Sequence, residues 1–428
     1  MKIHLKALGC RLNEAELEQW AREYTLRGHQ VVSEQEEADL VVLNTCAVTG
    51  EAARKSRNLM KRLHRANPRA RLVVSGCHAT LSADEVAQTL GVDLVVPNSD
   101  KEQLVTRSLE GMEPGSMPLM ATEPGEAALF RRGRHRAFIK VQDGCRYRCT
   151  FCIVTVARGE ERSRSIADIV DEANRLHAEG IHEIVLAGVH VGGYGSDIDA
   201  DLAGLVRALL QDTDVPRIRF ASVEPWDLPE DFFSLFENPR LMPHMHLPLQ
   251  SGSDAVLRRM ARRCKTAQFR ALVERAREAV PGFNVTTDII AGFPGETEED
   301  WQQTLAFVEE IGFGHIHAFT FSPREGTKAA RLPEQIPHEI RKRRTRELVA
   351  LAGRLRAEAM KAQLGSETEV LWERPFTDDA GRQWLQGYTR NYFRVQAPAG
   401  TASAENRIQR VGLVDVDGDA LIGTVRGE

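Results

Sequence analysis

The residues best suited to chemistry in this sequence are cysteines, and three of them stand close together near its middle. The segment DGCRYRCTFC places Cys145, Cys149 and Cys152 at CxxxCxxC spacing. Soft thiolates at this spacing suit an iron–sulfur cluster or zinc. A structural zinc site requires a fourth ligand to complete its tetrahedron, whereas a cubane held by three cysteines keeps one iron open. We therefore predict a 4Fe–4S cluster, with a zinc knuckle or incidental cysteines as the alternative.

An open iron on such a cluster offers a position where S-adenosylmethionine (SAM) can chelate. Reduction of the cluster then passes an electron into the sulfonium, and the resulting 5′-deoxyadenosyl radical can abstract an unactivated hydrogen atom. That chemistry belongs to the cofactor, while the protein positions its parts. Phe151, directly before the third cysteine of the motif, is expected to pack against the adenine of SAM.

Three further cysteines lie far apart in the first part of the sequence but share one local context. Cys10, Cys46 and Cys77 each come directly after a predicted strand, in KALGC, VVLNTC and VVSGC. In open α/β sheets, the loops at the carboxyl ends of parallel strands gather on one edge, where ligands bind. We therefore expect these three thiols to converge on one spot. The alternative is three unrelated core cysteines.

The elements around the cysteines divide the chain into three predicted domains. Over residues 1–110, the apolar strands KIHLKAL, DLVVLN, RLVVSG and DLVVP alternate with amphipathic helices that follow Asn13, Thr49 and Ser82. This alternation predicts a parallel sheet with helices on its faces. The next stretch, 111–136, is rich in Gly, Pro and Met and ends in the basic run RRGRHR, so we interpret it as a linker.

A second β/α series occupies residues 131–365. Strands are predicted at AFIKV, EIVLAG, RIRFAS, HMHLPL, NVTTDII and HIHAFTF. Six parallel strands with helices between them suit a partial (β/α)6 barrel, whose chemistry sits at the carboxyl ends of the strands. Cys145 comes shortly after the first of these strands and so falls on that edge. A charged helix that begins near Pro337 leads out of the barrel.

The last domain, residues 366–428, shows short strands separated by Gly, Asp and Pro turns, which predict a small all-β barrel. It holds seven Lys and Arg against ten Asp and Glu and is therefore acidic. RNA affinity here would depend on a few arginines beside aromatic rings. The candidates are Arg390 and Arg394 with Tyr388, Tyr392 and Phe393, supplemented by the RRGRHR linker and by RKRRTR in the charged helix. A purely structural barrel is the alternative.

Composition places the chain among ordinary globular proteins. Its 428 residues, 42% apolar and 27% charged, fit about three domains. We find neither a secretory leader nor an apolar stretch long enough to span a bilayer. We therefore expect a cytoplasmic protein with no membrane partner and with its seven cysteines reduced. The formal net charge of −5 argues against a uniformly basic nucleic-acid binder and leaves local patches for any RNA contact.

Taken together, the motifs resemble the methylthiotransferase family of radical SAM enzymes over essentially the whole chain. The segments that carry the resemblance are ALGCRLNEAE, NTCAVTGEAARKSR, SGCHA, FIKVQDGCRYRCTFCIVTVARGEERSRS, LAGVHVGGYG, HLPLQSGSDAVLRRM, TDIIAGFPGETEEDW and FSPREGTKAA. The resemblance implies two 4Fe–4S clusters: the one on the central cysteines cleaves SAM, and the other carries sulfur on Cys10, Cys46 and Cys77. It also implies a TRAM-like, RNA-binding role for the C-terminal barrel.

Within that family, ALGCRLNEAE and NTCAVTGEAARKSR are most similar to the branch that acts on threonylcarbamoyladenosine. The resemblance then implies an enzyme that adds a methylthio group to carbon 2 of this nucleoside, next to the anticodon of tRNA. It also implies an electron donor such as flavodoxin or ferredoxin. The first alternative is an isopentenyladenosine tRNA methylthiotransferase. The second, from a different class, is a non-catalytic iron–sulfur protein that binds RNA or carries electrons.

Three residues near strand ends are weaker candidates for the SAM site. Gly188 ends the second strand of the predicted barrel, and its loop resembles the family's region that meets the SAM amino group. Glu224 in ASVEP and Asp288 in TTDII are expected to contact the SAM ribose or the substrate. The alternatives are a plain turn for the glycine and a structural role for each acid.

The segment after the central cysteines is rich in charge. We interpret Arg158, Arg162 and Arg164 as a solvated charged loop, with contact to RNA phosphate as the alternative. The seventh cysteine, Cys264, is expected to be a small packing residue with no ligand role.

Overall fold

The computed structural model describes residues 1–112, 135–400 and 404–425. Its first region is a five-stranded parallel sheet with the order β2-β1-β3-β4-β5. The strands are β1 (Lys2–Ala7), β2 (Gln30–Val32), β3 (Leu40–Thr45), β4 (Arg71–Gly76) and β5 (Leu94–Val96), and the helices are α1 (Arg11–Leu26), α2 (Gly50–Ala66), α3 (Cys77–Leu81), α4 (Ala83–Ala87) and α5 (Leu104–Leu109). The predicted linker lies almost wholly within 113–134, outside the described residues.

The central strand shows why this layer forms. All six residues of β3 are buried, because helices cover both faces of the sheet. Leu40 and Val42 pack in the apolar cluster that contains Trp20 of α1, whereas Val41 and Leu43 pack in the opposite cluster. The predicted parallel sheet is therefore confirmed. Sequence analysis missed β2, a short, half-exposed edge strand with little apolar pattern.

The second region contains the six predicted parallel strands, arranged as two three-stranded sheets of order β10-β9-β6 and β11-β12-β13. A backbone bridge between Ile218 and Leu241 links the two sheets, so the six strands form one open, partial barrel. The strands of this region are β6 (Arg136–Lys140), β7 (Gln142–Asp143), β8 (Arg162–Ser163), β9 (Glu183–Ala187), β10 (Arg217–Phe220), β11 (His244–His246), β12 (Asn284–Ala291) and β13 (His315–Thr320).

Helices cover the outside of these strands and bury one large apolar core, which includes Cys264 at 7% exposure, as predicted for a packing residue. The helices are α6 (Val154–Arg158), α7 (Ile166–Ala178), α8 (Leu202–Asp212), α9 (Asp254–Arg259), α10 (Thr266–Ala279), α11 (Glu298–Ile311) and α12 (His338–Lys361). The last of them is the predicted charged helix that leads to the C-terminal region.

The C-terminal region is a closed five-stranded barrel with one short additional strand, as its turn-rich sequence predicts. Antiparallel pairing of β14 with both β18 and β16 closes the ring. The strands are β14 (Glu367–Trp372), β15 (Phe376–Thr377), β16 (Gln383–Thr389), β17 (Arg394–Pro398), β18 (Ile408–Asp417) and β19 (Ala420–Val425). Trp372 and Leu421 lie in its buried core.

The predicted RNA-stacking surface of this barrel is wrong for Phe393 and Arg390, because these side chains are used inside the protein. Phe393 is 6% exposed and belongs to the barrel core. The ring of Tyr392 stacks on Tyr388, with centroids 4.8 Å apart, and also lies under the guanidinium of Arg219 in the partial barrel. Arg390 donates a hydrogen bond to the carbonyl of Pro239 at 2.6 Å. These residues hold the two barrels together.

Part of the basic run RRGRHR, before the partial barrel, is also used in contacts within the protein. Residues 131–134 lie outside the described residues, but Arg136 is nearly buried and pairs with Glu373 of the C-terminal barrel. Arg136 thus helps to dock the C-terminal barrel, and its contact with RNA stays a prediction, because it also lines a polar cavity. Across the described ranges, no helix combines the length and apolar character needed to cross a membrane.

Candidate cluster sites and substrate cavity

Cys145, Cys149 and Cys152 lie on the loop that follows β6 and β7, at the carboxyl edge of the partial barrel. Burial raises the pKa of Cys145 to about 12 and that of Cys152 to about 11, and the charge of the neighbouring Cys149 thiolate contributes to both shifts. The three thiols are thus close enough to interact. Binding a soft cation would offset the cost of forming these thiolates.

The turn before Cys145 is fixed by close backbone packing. Gly144 has a φ of 72°, and a Cβ atom there would lie 1.8 Å from the carbonyl oxygen of Glu160. The backbone N–H of Cys145 donates to the carbonyl of Gly159 at 3.1 Å. Only glycine fits at position 144, and the loop is therefore held against the segment that follows the cysteine motif.

A histidine lies beside the loop but is not free to complete a zinc tetrahedron. His190, Glu161 and Cys145 present possible ligand atoms within 4.8 Å of one another. However, both ring nitrogens of His190 are occupied: Nδ1 lies 2.5 Å from Glu161 and Nε2 lies 2.6 Å from Asp227. Burial lowers the pKa of His190, but these hydrogen bonds and the nearby carboxylates raise it overall. The donor set in the described residues therefore fits a three-cysteine cubane.

Glu224 supplies the polar surface that a SAM molecule would need next to this loop. Its Oε2 atom is buried and has no hydrogen-bond partner among the described residues. Burial raises the pKa of Glu224, and its charge in turn raises the pKa of Cys145. His190 Nε2 lies 3.8 Å from this atom, beyond hydrogen-bond distance. A buried carboxylate oxygen without a hydrogen bond is costly, so the atom is suited to receive a donor from a bound ligand.

The other predicted SAM contacts have different surroundings. A Cβ on Gly188 would lie 3.0 Å from Val191, so close packing alone accounts for this glycine. Phe151 packs, partly buried, against an apolar cluster that contains Phe293 and Phe321. Asp288 pairs with His246 at 3.2 Å, inside the barrel. Contact of these residues with SAM remains a prediction.

The second cysteine triplet lies at the carboxyl ends of β1, β3 and β4. Burial raises the pKa of Cys46 to about 11, and the charges of Cys10 and Cys77 contribute to this shift. A Cβ on Gly9 would lie only 3.1 Å from the Sγ atom of Cys46. The loops that carry Cys10 and Cys46 are therefore in contact, as the strand-end argument predicts.

The prediction of a solvated loop is wrong for Arg158. This side chain is 4% exposed and lies between the first region and the partial barrel. Its guanidinium donates to Glu16 at 2.9 Å, to Asp143 at 3.0 Å and to Asn13 at 2.9 Å. Arg164 is half-buried and pairs with Glu172 at 2.6 Å, whereas Arg162 is exposed. Burial in this network excludes Arg158 from contact with RNA phosphate.

The interior of the partial barrel carries a row of histidines. The rings of His246 and His317 lie 5.6 Å apart, and those of His315 and His317 lie 4.6 Å apart. Burial lowers the pKa of His315 to about 4 and also lowers that of His317. His315 and His317 are therefore neutral near pH 7 and offer hydrogen bonds without charge.

A polar cavity of about 290 Å³ opens beside this interior, and all three regions of the chain line it. Arg11 enters it from the first turn of α1, with its guanidinium 5.1 Å from the ring centroid of Phe138. In the described part of the chain, this guanidinium makes no ion pair or hydrogen bond. The remaining lining residues are Glu14, His135, Arg136, Glu373, Tyr388 and Tyr392.

Sequence analysis missed several residues of these sites. Asn98, Lys101 and Glu16 are buried beside the N-terminal cysteines. A signal existed for Arg11 and Glu16, which belong to the ALGCRLNEAE segment around Cys10, whereas Asn98 and Lys101 lie in a segment with no motif. The partners of the others are distant in sequence, so no local pattern could have found them.

Comparisons with known proteins agree with this arrangement. A profile described as the radical SAM superfamily matches residues 139–308, and one described as uncharacterized protein family UPF0004 matches residues 2–97. Among solved structures, the radical S-adenosylmethionine methyltransferase TsrM from Kitasatospora setae superposes with a TM-score of 0.58. It has 16% identity, and the match covers 77% of each chain. That likeness shows the fold alone.

Curated relatives match nearly the full chain. The threonylcarbamoyladenosine tRNA methylthiotransferase MtaB of Bacillus subtilis is 35% identical over 92% of this chain and 89% of its own. The MtaB of Thermotoga maritima is 36% identical, with 87% and 86% covered. A tRNA-2-methylthio-N(6)-dimethylallyladenosine synthase of Cereibacter sphaeroides is also 36% identical, with 87% of each chain covered.

The partial barrel and its three-cysteine loop define a radical SAM protein. The second cysteine triplet lies on a separate parallel sheet that packs against this barrel. Full-length similarity then settles the family: the chain belongs to the radical SAM methylthiotransferases, enzymes that transfer a methylthio group.

Proposed function

We propose that this protein adds a methylthio group to carbon 2 of threonylcarbamoyladenosine, next to the anticodon of tRNA. The observation that carries the proposal is the placement of two cysteine triplets at the carboxyl ends of two parallel sheets that pack against each other. Membership in the methylthiotransferase family supports it. The cofactors are two 4Fe–4S clusters and SAM, and the electron donor is a small redox protein such as flavodoxin or ferredoxin.

The residues divide the work between the two sites. Cys145, Cys149 and Cys152 would hold one cluster, and Cys10, Cys46 and Cys77 the other. When bound, the first supplies the electron that cleaves SAM and the second supplies the sulfur. Glu224 would accept a hydrogen bond from SAM, because its buried Oε2 atom has no hydrogen-bond partner in the described residues. Two cluster sites on sheets that pack against each other would bring radical and sulfur together before solvent can quench the radical.

Sequence identity alone does not separate the two nucleoside substrates, because relatives of both kinds are about equally similar. Arg11 favours threonylcarbamoyladenosine. The threonylcarbamoyl group ends in a carboxylate, whereas a dimethylallyl group is apolar. Arg11 follows Cys10, faces a polar cavity and has no carboxylate partner in the described residues. Its guanidinium therefore suits the charged substituent. A dimethylallyl group would offer this exposed guanidinium no charged partner.

Recognition of the tRNA body must use surfaces that remain accessible. On α12, Lys342 and Arg346 line an open groove of about 630 Å³, and both belong to the predicted RKRRTR surface. Arg394 of the C-terminal barrel is 33% exposed at its side chain and lies 3.4 Å from the exposed carboxylate of Asp419, a partner that a phosphate could replace. We propose these three basic side chains as phosphate contacts. The domain division at 1–110, 131–365 and 366–428 is part of the same proposal.

Nucleoside mass spectrometry of tRNA from cells with and without the gene tests the proposal. Loss of the gene should remove 2-methylthio-threonylcarbamoyladenosine and leave its unthiolated precursor to accumulate, and expression of the gene should restore the product. Loss of methylthio-isopentenyladenosine instead would assign the other substrate. If neither nucleoside changes and the reduced protein does not cleave SAM, the chain is a non-catalytic iron–sulfur protein.

A further inference from the structure

The short helix α6, which follows the central cysteine motif, reaches across the domain boundary to the other cysteine triplet. Its residue Arg158 donates from Nη2 to the Oδ1 atom of Asn13 at 2.9 Å. The same Oδ1 atom lies 3.7 Å from the Sγ atom of Cys10. One side chain of the partial barrel is thus linked to the first N-terminal cysteine through a single amide.

Asn13 also ties together the loops that present the N-terminal thiols. Its Nδ2 atom donates to the carbonyl of Leu8 at 3.0 Å and to the carbonyl of Thr45 at 3.3 Å. These carbonyls lie just before Cys10 and Cys46 in the chain. The hydrogen bond from Arg158 therefore orients a residue that sets the spacing of both loops.

A second link reaches the third cysteine of this triplet. The Nδ2 atom of Asn98 donates to the carbonyl of Ala157 at 2.7 Å and lies 3.8 Å from the Sγ atom of Cys77. Ala157 also packs with Cys77 and Ala47 in a small apolar cluster. Two consecutive residues of α6 thus support Cys10 and Cys77 from the side of the radical SAM domain.

The charges of this link are balanced and buried. The Glu16 carboxylate accepts from Arg158 at 2.9 Å and from Lys101 at 2.6 Å, and all three side chains are at most 4% exposed. Burial alone would lower the pKa of Arg158, but Glu16 and the charges of Cys77 and Cys10 raise it well above its usual value. The guanidinium therefore stays charged beside thiols that become anionic when they bind metal.

We propose that Arg158 is a positioning residue for the cluster on Cys10, Cys46 and Cys77: from the radical SAM domain, it orients Asn13 and sets the retention and reduction potential of that cluster. The inference rests on the proposed function, because it assumes that this triplet holds a cluster. Positive charge and hydrogen bonds near a cluster raise its potential, and outer-sphere partners govern metal affinity. Docking of the radical SAM domain would then also complete the site of the sulfur-carrying cluster.

The simpler reading is that Arg158 only joins two domains. Arg22 offers a matched control for that role, because it pairs with Glu172 across the same boundary at 2.8 Å and is also mostly buried. No described contact joins Arg22 to a cysteine. A variant at Arg22 weakens the domain contact and leaves the cysteine site unchanged, so it separates docking from cluster support.

The test uses the full chain with Cys145, Cys149 and Cys152 replaced by alanine, so that the N-terminal cluster is observed alone. After anaerobic reconstitution, iron content, the rate of iron loss to a chelator, and the midpoint potential from EPR-monitored titration are measured. Arg158→Met should release iron about 10- to 100-fold faster and shift the potential to more negative values. Arg158→Lys should keep most of the potential, because it keeps the charge, and Arg22→Met should match the parent in both.

Asn98→Ala should accelerate iron loss with a smaller shift, because it removes a hydrogen bond and no charge. If Arg158→Met does not fold, the double variant Arg158→Met with Asp143→Asn removes two opposite charges and leaves the Glu16–Lys101 pair intact. Iron release should still be faster, because Asn13 loses its donor, whereas the shift in potential should be smaller, because the two lost charges offset each other. Unchanged iron release and potential in whichever of these variants folds would overturn the inference.

The outcomes for the two proposals can be told apart. A parent protein with no N-terminal cluster would overturn both. If the parent holds that cluster and Arg158→Met changes neither iron release nor the midpoint potential, only the role of Arg158 is overturned. Normal cluster behaviour combined with unchanged tRNA nucleosides in the gene deletion would overturn only the proposed substrate.

Discussion

The carboxylate of Glu183 accepts two hydrogen bonds from the guanidinium of Arg219, at 3.1 and 3.4 Å, deep inside the partial barrel. Glu183 begins β9, and Arg219 lies on the adjacent β10. Arg136 and Arg217 approach the same carboxylate at 3.8 and 3.5 Å. Arg217 and Arg219 also donate to backbone carbonyls of the C-terminal barrel. One carboxylate therefore balances three arginines that dock the last domain.

Replacing Glu183 with glutamine should destabilise the protein by about 3 to 5 kcal/mol, because removing one partner leaves buried charge uncompensated. Urea unfolding followed by circular dichroism measures the change. The exposed pair of Arg270 and Glu310 provides the control: Glu310→Gln should cost at most about 1 kcal/mol. Equal effects of the two variants would contradict this role.

The same carboxylate predicts a pH dependence. Burial alone would raise the pKa of Glu183, but Arg219, Arg136 and Arg217 lower it from 4.5 to about 2. A lowered pKa contributes stability that is fully present above the unfolded value and is lost as the pH falls through the folded value. The stability difference between wild type and Glu183→Gln should therefore shrink as the pH falls from 4.5 toward 2. A difference that stays constant over this range would count against the ion pair.

If the two cysteine triplets hold separate clusters, the iron of each can be removed without the other. Wild-type protein should contain about eight irons, about four in each cubane. Replacement of Cys145, Cys149 and Cys152 with alanine should halve the iron and stop SAM cleavage, because that loop would hold the SAM-cleaving cluster. Replacement of the N-terminal triplet should halve the iron and spare SAM cleavage. Anaerobic iron and sulfide analysis decides, and zinc or a single cluster in the wild type would refute the arrangement.

Arg11 should set the choice of nucleoside. Arg11→Gln should lower kcat/KM for tRNA carrying threonylcarbamoyladenosine about 10- to 100-fold, the effect expected from losing one hydrogen bond to a charged group. Iron content and SAM cleavage without tRNA should not change, which guards against an indirect effect through Cys10. Arg11→Lys should retain part of the activity.

A substrate control sharpens the test of Arg11. Esterification of the threonine carboxylate removes the charge from the substrate instead of from the enzyme. It should reduce the activity of the wild type and have little further effect on Arg11→Gln. Independent, additive losses would show that Arg11 contacts something else.

Arg394 should contribute about one phosphate contact to tRNA binding. Arg394→Ala should weaken binding and reduce the slope of log K against log salt by up to about one. Arg382 is an exposed arginine that pairs with Asp378 in the same barrel, and Arg382→Ala serves as the control. A point variant is preferable to deletion from Ser366, because deletion would remove the carbonyls that Arg217 and Arg219 bind. An unchanged slope would show that Arg394 does not contact a tRNA phosphate.

The sequence alone was enough to predict the parts of the protein that depend on neighbouring residues. The spacing of Cys145, Cys149 and Cys152 identified a cluster loop, and apolar runs before Cys10, Cys46 and Cys77 placed three distant thiols at one sheet edge. Alternating strands and helices likewise identified the partial barrel, because strand and helix periodicity is written in short stretches of chain. The topology of parallel sheets then predicts that the three thiols meet, because it gathers the carboxyl ends of the strands on one side.

Only the tertiary structure decided where the charged and aromatic side chains go. Arg158, in an apparently solvated loop, is buried against Glu16, which lies 142 residues earlier in the chain. Phe393 and Arg390, in an apparent RNA surface, pack or bond within the protein. A charged or aromatic side chain is compatible with either environment, and its partner is chosen by long-range packing. That partner, not the local sequence, determines whether the side chain can be buried without a large loss of stability.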